Sequence, residues 1–172
     1  VDCNFKLESA RDKIINSFQE TIDKRALEVL RSKLESAGHV LYIMDNCGEA
    51  VFDKMPIEQY KEKITLAVRG RAILNDITRR ELASSGLENL ARRTVDTGDG
   101  TPGVCLEDSS EEFRDAFEKA DLIIAKGQGN FETLSETTRP TVFLFRAKCA
   151  VVIKHIGGGV PMGSFQIRPV NI

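Results

Sequence analysis

Several things this chain lacks narrow its function before any motif is read. Its four cysteines, Cys3, Cys47, Cys105 and Cys149, are scattered with no CxxC pair. That argues against a zinc site or a dense disulfide framework and for a reducing compartment. No apolar run approaches the roughly 20 residues that a membrane-crossing helix needs, and no secretory leader pattern is visible. The expectation is a cytoplasmic protein with no membrane partner. A charge excess is missing too: 24 Lys and Arg stand against 26 Asp and Glu, for a formal net charge of -2 and a pI near 5.8. Nothing in that balance suggests a basic face for nucleic acid or lipid. His39 and His155 have no ligand spacing around them and receive no role. There is no internal repeat and no low-complexity linker. The chain opens on Val1 rather than Met, so a processed or partial chain is expected.

What is present fits one α/β domain. Of 172 residues, 41% are apolar and 29% charged, which is too apolar for disorder. A domain of this size hides about 70% of the surface of its unfolded chain. Residues 7 to 37 read as helix. Leu7, Ala10, Ile14, Phe18 and Ile22 recur at helical spacing, and so do Ala26, Val29, Leu30 and Leu34. A break falls near residues 23 to 25, and Gly38 marks the stop. These apolar stripes are expected to meet a core.

Beyond Gly38 the pattern changes. Val40-Leu41-Tyr42-Ile43-Met44 has the length of a buried strand and ends in Asp45-Asn46-Cys47-Gly48-Glu49. Residues 64 to 68 form a second run, ending in Arg69-Gly70, and residues 93 to 95 a weaker third before Asp96-Thr97-Gly98. Residues 122 to 125 are a fourth, ending in Lys126-Gly127; residues 141 to 145 are a fifth, and residues 150 to 153 a short sixth. Helices are expected between them, best at 76 to 84 and 109 to 120. In the latter, Ser109 with Glu112 has the form of a capping box, and Phe113, Ala116, Phe117 and Ala120 supply the buried stripe. Buried strands alternating with helices predict a mostly parallel sheet covered on both faces. The Gly-rich polar stretch from 97 to 105 is expected as a functional or mobile loop.

Ligands of open parallel sheets sit at the carboxyl ends of the strands, and the notable polar residues fall there. Asp45 and Asn46 follow the first strand, Asn75 and Asp76 come after the second, and Asp96, Thr97 and Asp99 follow the third. Lys126, with Gly127, Gln128, Gly129 and Asn130 behind it, follows the fourth. Two carboxylates, an amide and an ammonium would then share one rim. Hard oxygen donors suit Mg²⁺ or Mn²⁺ and leave positions for water and phosphate. A metal there could activate a water, Lys126 could balance phosphate charge, and backbone N–H groups near Gly127 to Asn130 or Gly48 could cradle the oxygens. Blander readings exist for each residue alone. Asp45 or Asp76 could cap a helix, Lys126 could be a solvated strand-end lysine, Gly127-Gln128-Gly129 a tight turn, and Cys47 a small packing residue.

The motifs also match a known family. Asp45-Asn46-Cys47-Gly48-Glu49-Ala50-Val51-Phe52-Asp53 resembles the DNxGE-x-VFD signature of the DUF89, or ARMT1-like damage-control phosphatase, proteins. Leu74-Asn75-Asp76-Ile77-Thr78 resembles their LNDxT element, and the segment from Asp121 to Glu132 is similar to their DLIIxKGQGNxE block. The wording is closest to the short archaeal and bacterial kind, and it runs from about Val40 to Ser164. The resemblance implies a three-layer Rossmann-like α/β/α fold with a mostly parallel sheet, preceded by N-terminal helices. It also implies a divalent-metal-dependent phosphatase acting on sugar phosphates or damaged phosphometabolites. The metal (Mg, Mn, Co or Ni) would be held by Asp45, Asn46 and Asp76. Phosphate or substrate would meet Lys126, Gly127, Asn130, Gly48, Glu49 and, in the following loop, Thr97. Residues 39–172 are then the phosphatase domain, and residues 1–38 are what stands here of the helical portion that family members carry. A second copy or a partner chain is the expected cover for those N-terminal helices.

Other readings meet obstacles. Asp96-Thr97-Gly98 spells the aspartic-protease triplet, but such an enzyme needs two aspartates sharing a proton and one triplet is present. A haloacid-dehalogenase-type phosphatase commonly places its general acid two residues after the first aspartate, where Cys47 stands. That favours attack by an activated water over an aspartyl-phosphate. Gly127-x-Gly129 lacks the third glycine of a dinucleotide fingerprint, because Glu132 takes that place. The remaining alternatives are a receiver-like signalling domain that accepts phosphate on Asp76, and a non-catalytic sugar-phosphate-binding subunit.

Overall fold

The computed structural model describes residue 12 and residues 15 to 172. Leu7, Ala10, Ile14 and Cys3, all used in the sequence reading, lie outside the described residues. Helix α1 (Lys24–Ser36) begins where the break was expected. The Asp23 carboxylate accepts the Ala26 amide at 3.0 Å and caps it, and Ala26, Leu30 and Leu34 are buried. Phe18, assigned to the buried stripe by its spacing, is instead 81% exposed, because the chain leaves helical geometry between residues 18 and 23. After α1, the Asp121 carboxylate takes the amides of Gly38 and His39 at 3.0 and 2.8 Å and ties the turn to the start of the fourth strand.

Next come β1 (Val40–Ile43), a 3-10 turn (Cys47–Glu49), α2 (Ala50–Gln59), β2 (Ile64–Val68), α3 (Arg79–Ser85) and β3 (Arg93–Asp96). The second half holds α4 (Glu111–Lys119), β4 (Leu122–Lys126), α5 (Gln128–Leu134), β5 (Thr141–Arg146), α6 (Ala150–His155) and β6 (Phe165–Val170). The strands form one sheet in the order β3-β2-β1-β4-β5-β6, parallel except for the antiparallel β6. Alternation along β1 divides the core. Val40, Tyr42 and Met44 join one apolar cluster with α1, α2 and Leu82 of α3. Leu41 and Ile43 join another with Phe113, Phe117, Phe131 and Val152 of α4, α5 and α6. This is the expected three-layer α/β/α arrangement. The strand order reverses between β1 and β4, and such a reversal opens the crevice in which doubly wound sheets bind ligands.

Three local expectations are corrected. Residues 150 to 153 form helix α6 rather than a strand. Val152 is buried while Val151 is 74% exposed, and a four-residue apolar run does not by itself distinguish the two states. The sixth strand is β6; it lies at the sheet edge, where Pro169 is tolerated. The cap of α4 is Ser110, whose hydroxyl accepts the Phe113 amide at 3.1 Å, whereas the Ser109 hydroxyl donates to Cys105 O at 2.7 Å. Likewise α3 starts at Arg79, with Thr78 and Glu81 forming its capping box. Among the described residues no helix is long and apolar enough to cross a membrane.

Candidate active site

The crevice between β1 and β4 gathers residues from four segments. Asp45 follows β1. Asp76 reaches it because the segment after β2 turns back across the strand ends. Leu74 takes a left-handed backbone (φ 47) at that turn, a conformation that costs a branched residue about 1–2 kcal/mol. Backbone bonds then clamp the returning segment. Ile77 N–H donates to Asp45 O at 2.8 Å, and Cys47 N–H to Asn75 O at 2.9 Å. Asn46 and Asp76 are thereby paired in an antiparallel bridge. Residues thirty positions apart in sequence are fixed side by side, and neither Asp45 nor Asp76 caps a helix.

The side chains interlock. Asn46 Nδ2 donates to Asp45 Oδ2 at 2.6 Å and to Glu49 Oε1 at 2.9 Å. Arg69, buried at 2% exposure, donates from Nε to Asp76 Oδ2 at 2.8 Å and from Nη2 to Asn130 Oδ1 at 2.9 Å. Asn130 in turn donates to Lys126 O at 2.6 Å, so one buried network braces the ends of β2 and β4. Lys126 Nζ meets Glu49 at 2.6 Å and both oxygens of Asp53, at 2.8 and 3.0 Å. The Tyr42 hydroxyl donates to Asp53 Oδ1 at 2.8 Å. Gly127 (φ 84, ψ 152) lies so close to Asp45 that a Cβ there would come within 2.2 Å of the carboxylate. The close approach of β4 to β1 at this point therefore requires glycine.

The electrostatics follow from the crowding. Burial, then the Asp76 and Glu49 charges, push the Asp45 carboxyl up to about 6, against the opposing pull of Arg69 and Lys126. Burial also raises the Asp53 carboxyl, although Lys126 and Tyr42 hold it down in part. For Lys126 burial works against the ammonium, but the Asp53 and Glu49 carboxylates override it, and the net shift is upward. Cys47 is raised by burial and by the Glu81 charge, and its thiol donates to Asp76 O at 3.3 Å; it packs as a neutral thiol.

The structure thus brings Asp45, Asn46, Asp76, Lys126, Gly127, Glu49 and Asn130 together. Their parts in the cluster differ, and Thr97 and Gly48 stand apart from it. The Asn130 amide is fully buried and spent on Arg69 and Lys126. Glu49 is an acceptor for Lys126 and Asn46. Thr97 is fully buried and its hydroxyl bonds Gly70 N and Asp99 O, at 3.2 and 3.3 Å. Gly48 is exposed with open space beside it. Three residues of the cluster were not singled out: Arg69, Asp53 and Tyr42. An arginine closing an apolar strand, and an acid four residues after Glu49 on the same helical face, were the available signals.

Four carboxylates (Asp45, Glu49, Asp53, Asp76) meet two cations (Lys126, Arg69), which leaves a formal charge of -2. No three side chains drawn from His, Cys, Asp and Glu stand in metal-holding geometry among the described residues. The donor set that does converge is two carboxylates and an asparagine. That oxygen-rich chemistry suits a hard divalent cation.

Comparison with known proteins gives consistent relatives. A family model described as the damage-control phosphatase ARMT1-like domain matches residues 3–161. A damage-control phosphatase of Pyrococcus horikoshii is 43% identical over 140 residues, covering 78% of this chain and 48% of its own length. A damage-control phosphatase of Archaeoglobus fulgidus is 37% identical over 157 residues, covering 89% of this chain and 54% of its own length. The crystal structure of a DUF89 family protein of Pyrococcus horikoshii superimposes with a TM-score of 0.80 at 38% identity, covering 94% of this chain and 57% of that one. The chain spans about half the length of the relatives it matches.

Proposed function

The chain belongs to the ARMT1-like damage-control phosphatase family, and from that membership and the geometry of the crevice we propose that it is a phosphatase hydrolysing small phosphorylated metabolites with a divalent metal. The observation that carries this reading is the backbone bridge between Asn46 and Asp76, which sets Asp45, Asn46 and Asp76 together while Lys126 stands behind Glu49. Asp45, Asn46 and Asp76 would hold the cation. When bound, it would polarise the phosphoryl group and lower the pKa of a water.

The chain's own residues do the rest. Lys126 offers charge to the phosphate oxygens. Arg69 and Asn130 fix Asp76 and the end of β4, so that donors and carboxylates keep their spacing without rearranging during the reaction. Gly127 leaves room for Asp45. Water adds to phosphorus, the ester P–O bond breaks, and the alcohol leaves with a proton.

A receiver domain fits less well. Asp76 is 8% exposed and bonded to Arg69, and the sheet order differs from the 2-1-3-4-5 order of flavodoxin-like folds. The test is phosphate release from para-nitrophenyl phosphate or a sugar phosphate with Mn²⁺, Co²⁺, Ni²⁺ or Mg²⁺. Asp45→Ala should abolish release with an unchanged circular dichroism spectrum. Full activity in that variant moves the site elsewhere, and stable labelling by acetyl phosphate without turnover supports the receiver instead.

A further inference from the structure

The two carboxylates on Lys126 are unlike. Asp53 grips Nζ with both oxygens, is 7% exposed, and is itself held by the Tyr42 hydroxyl. Glu49 uses one oxygen, at 2.6 Å, shares its other with Asn46, and is 42% exposed. An ammonium carries three donors and no acceptor. The buried partner therefore fixes where the amine sits, and the exposed partner occupies the side from which an anion would arrive. A carboxylate in that place offers the same acceptor chemistry as a phosphate oxygen.

We infer that Asp53, anchored by Tyr42, is the positioning residue that aims Lys126 at the open rim, and that Glu49 is an exchangeable counter-ion which an incoming phosphate group displaces. This rests on Lys126 being the phosphate contact of the proposed phosphatase. It predicts opposite signs from two removals of the same charge. Glu49→Gln takes away a competitor and leaves the amine in place. Asp53→Asn takes away the anchor and leaves the competitor.

The experiment titrates inorganic phosphate into each Mn²⁺-saturated protein by calorimetry, and measures its competitive inhibition constant against para-nitrophenyl phosphate. Glu49→Gln should bind phosphate about threefold tighter and lower KM, and Asp53→Asn should bind about tenfold weaker and raise KM. Tyr42→Phe, which deletes only a hydroxyl, should weaken phosphate about threefold with Mn²⁺ affinity unchanged; it carries the anchor test if Asp53→Asn does not fold. Weaker or unchanged binding in Glu49→Gln, or unchanged binding in the anchor variants, overturns the inference while wild-type phosphate binding keeps the phosphatase reading intact. Absence of phosphate binding by the Mn²⁺-loaded wild type overturns both.

Discussion

Gly127→Ala isolates the contact that closes the crevice. The backbone there (φ 84, ψ 152) lies in a region that is essentially restricted to glycine, and forcing another residue into it costs about 1–3 kcal/mol. The new methyl would stand 2.2 Å from Asp45 Cγ and Oδ2 and 2.6 Å from Oδ1. An ordinary carbon contact begins near 3.4 Å, so the carboxylate must retreat by about 1 Å, a misplacement of the size that costs about 10²-fold in rate. At about 2–4 °C per kcal/mol for a chain of this length, the melting point should fall by several degrees. Mn²⁺ affinity, measured by calorimetry, should fall with it. Gly48→Ala is the control: Gly48 has nothing within 4 Å of its missing Cβ and no positive φ, so both readouts should stay near wild type. Wild-type Mn²⁺ affinity in Gly127→Ala would refute the placement of Asp45 against β4. Equal damage from Gly48→Ala would refute the steric reasoning.

Three further outcomes follow from the same geometry. Arg69→Met leaves the buried Asp76 carboxylate and Asn130 carbonyl without their donor. Breaking such a pair from one side costs about 3–5 kcal/mol in chemical denaturation, and saturating Mn²⁺ should restore more stability to the variant than it adds to wild type. In the metal-free protein the Asp45 carboxyl titrates near 6 rather than 3.8, so the folded state holds an extra proton between those values. Metal-free stability should therefore decline as pH rises through that window. Mn²⁺ affinity should be flat above about pH 7 and weaken by up to about tenfold per unit below 6, because the cation must displace the proton; a pH-independent affinity down to pH 5 contradicts the assignment. Finally, no phosphoenzyme should be trapped by acid quench during turnover, and a phosphate found on Asp45 would replace water attack with an aspartyl intermediate.

The sheet was legible in the sequence because its strands are buried on both faces. Residues 40–44 and 122–125 are continuous apolar runs, 64–68 and 141–145 are apolar but for Thr65 and Thr141, and each ends abruptly in a polar residue, so their existence and their rim were visible together. Asp45, Asn46, Asp76 and Lys126 were placed on one rim for that reason. The edge was less legible. Strand β6 mixes polar and apolar residues around Pro169 with only Gln166 and Ile167 buried, and α6 is an apolar run too short to reveal its period. The bracing residues were hidden for another reason. Arg69 and Asp53 look like surface charges in a string of letters; Arg69 is covered where residues 74 to 78 return over the strand ends, and Asp53 where Lys126 and Tyr42 close on it. No local pattern encodes that return except an unusual leucine conformation, which sequence does not display.

The charge pattern of the crevice ties its stability to its chemistry. A buried carboxylate is tolerated when paired, and here Asp76 has Arg69 and Asp53 has Lys126, while Asp45 has an asparagine amide. The charge on Asp45 is thus held at a cost, which its upward-displaced titration expresses. A divalent cation at Asp45 and Asp76 would cancel the surplus of two negative charges, and a phosphate dianion arriving afterwards would restore it. Cation and substrate should therefore bind with positive coupling: each neutralises what makes the other costly. By linkage, phosphate must then raise Mn²⁺ affinity by the same factor that Mn²⁺ raises phosphate affinity. A crevice built as a plain anion site would show phosphate binding that is indifferent to the metal.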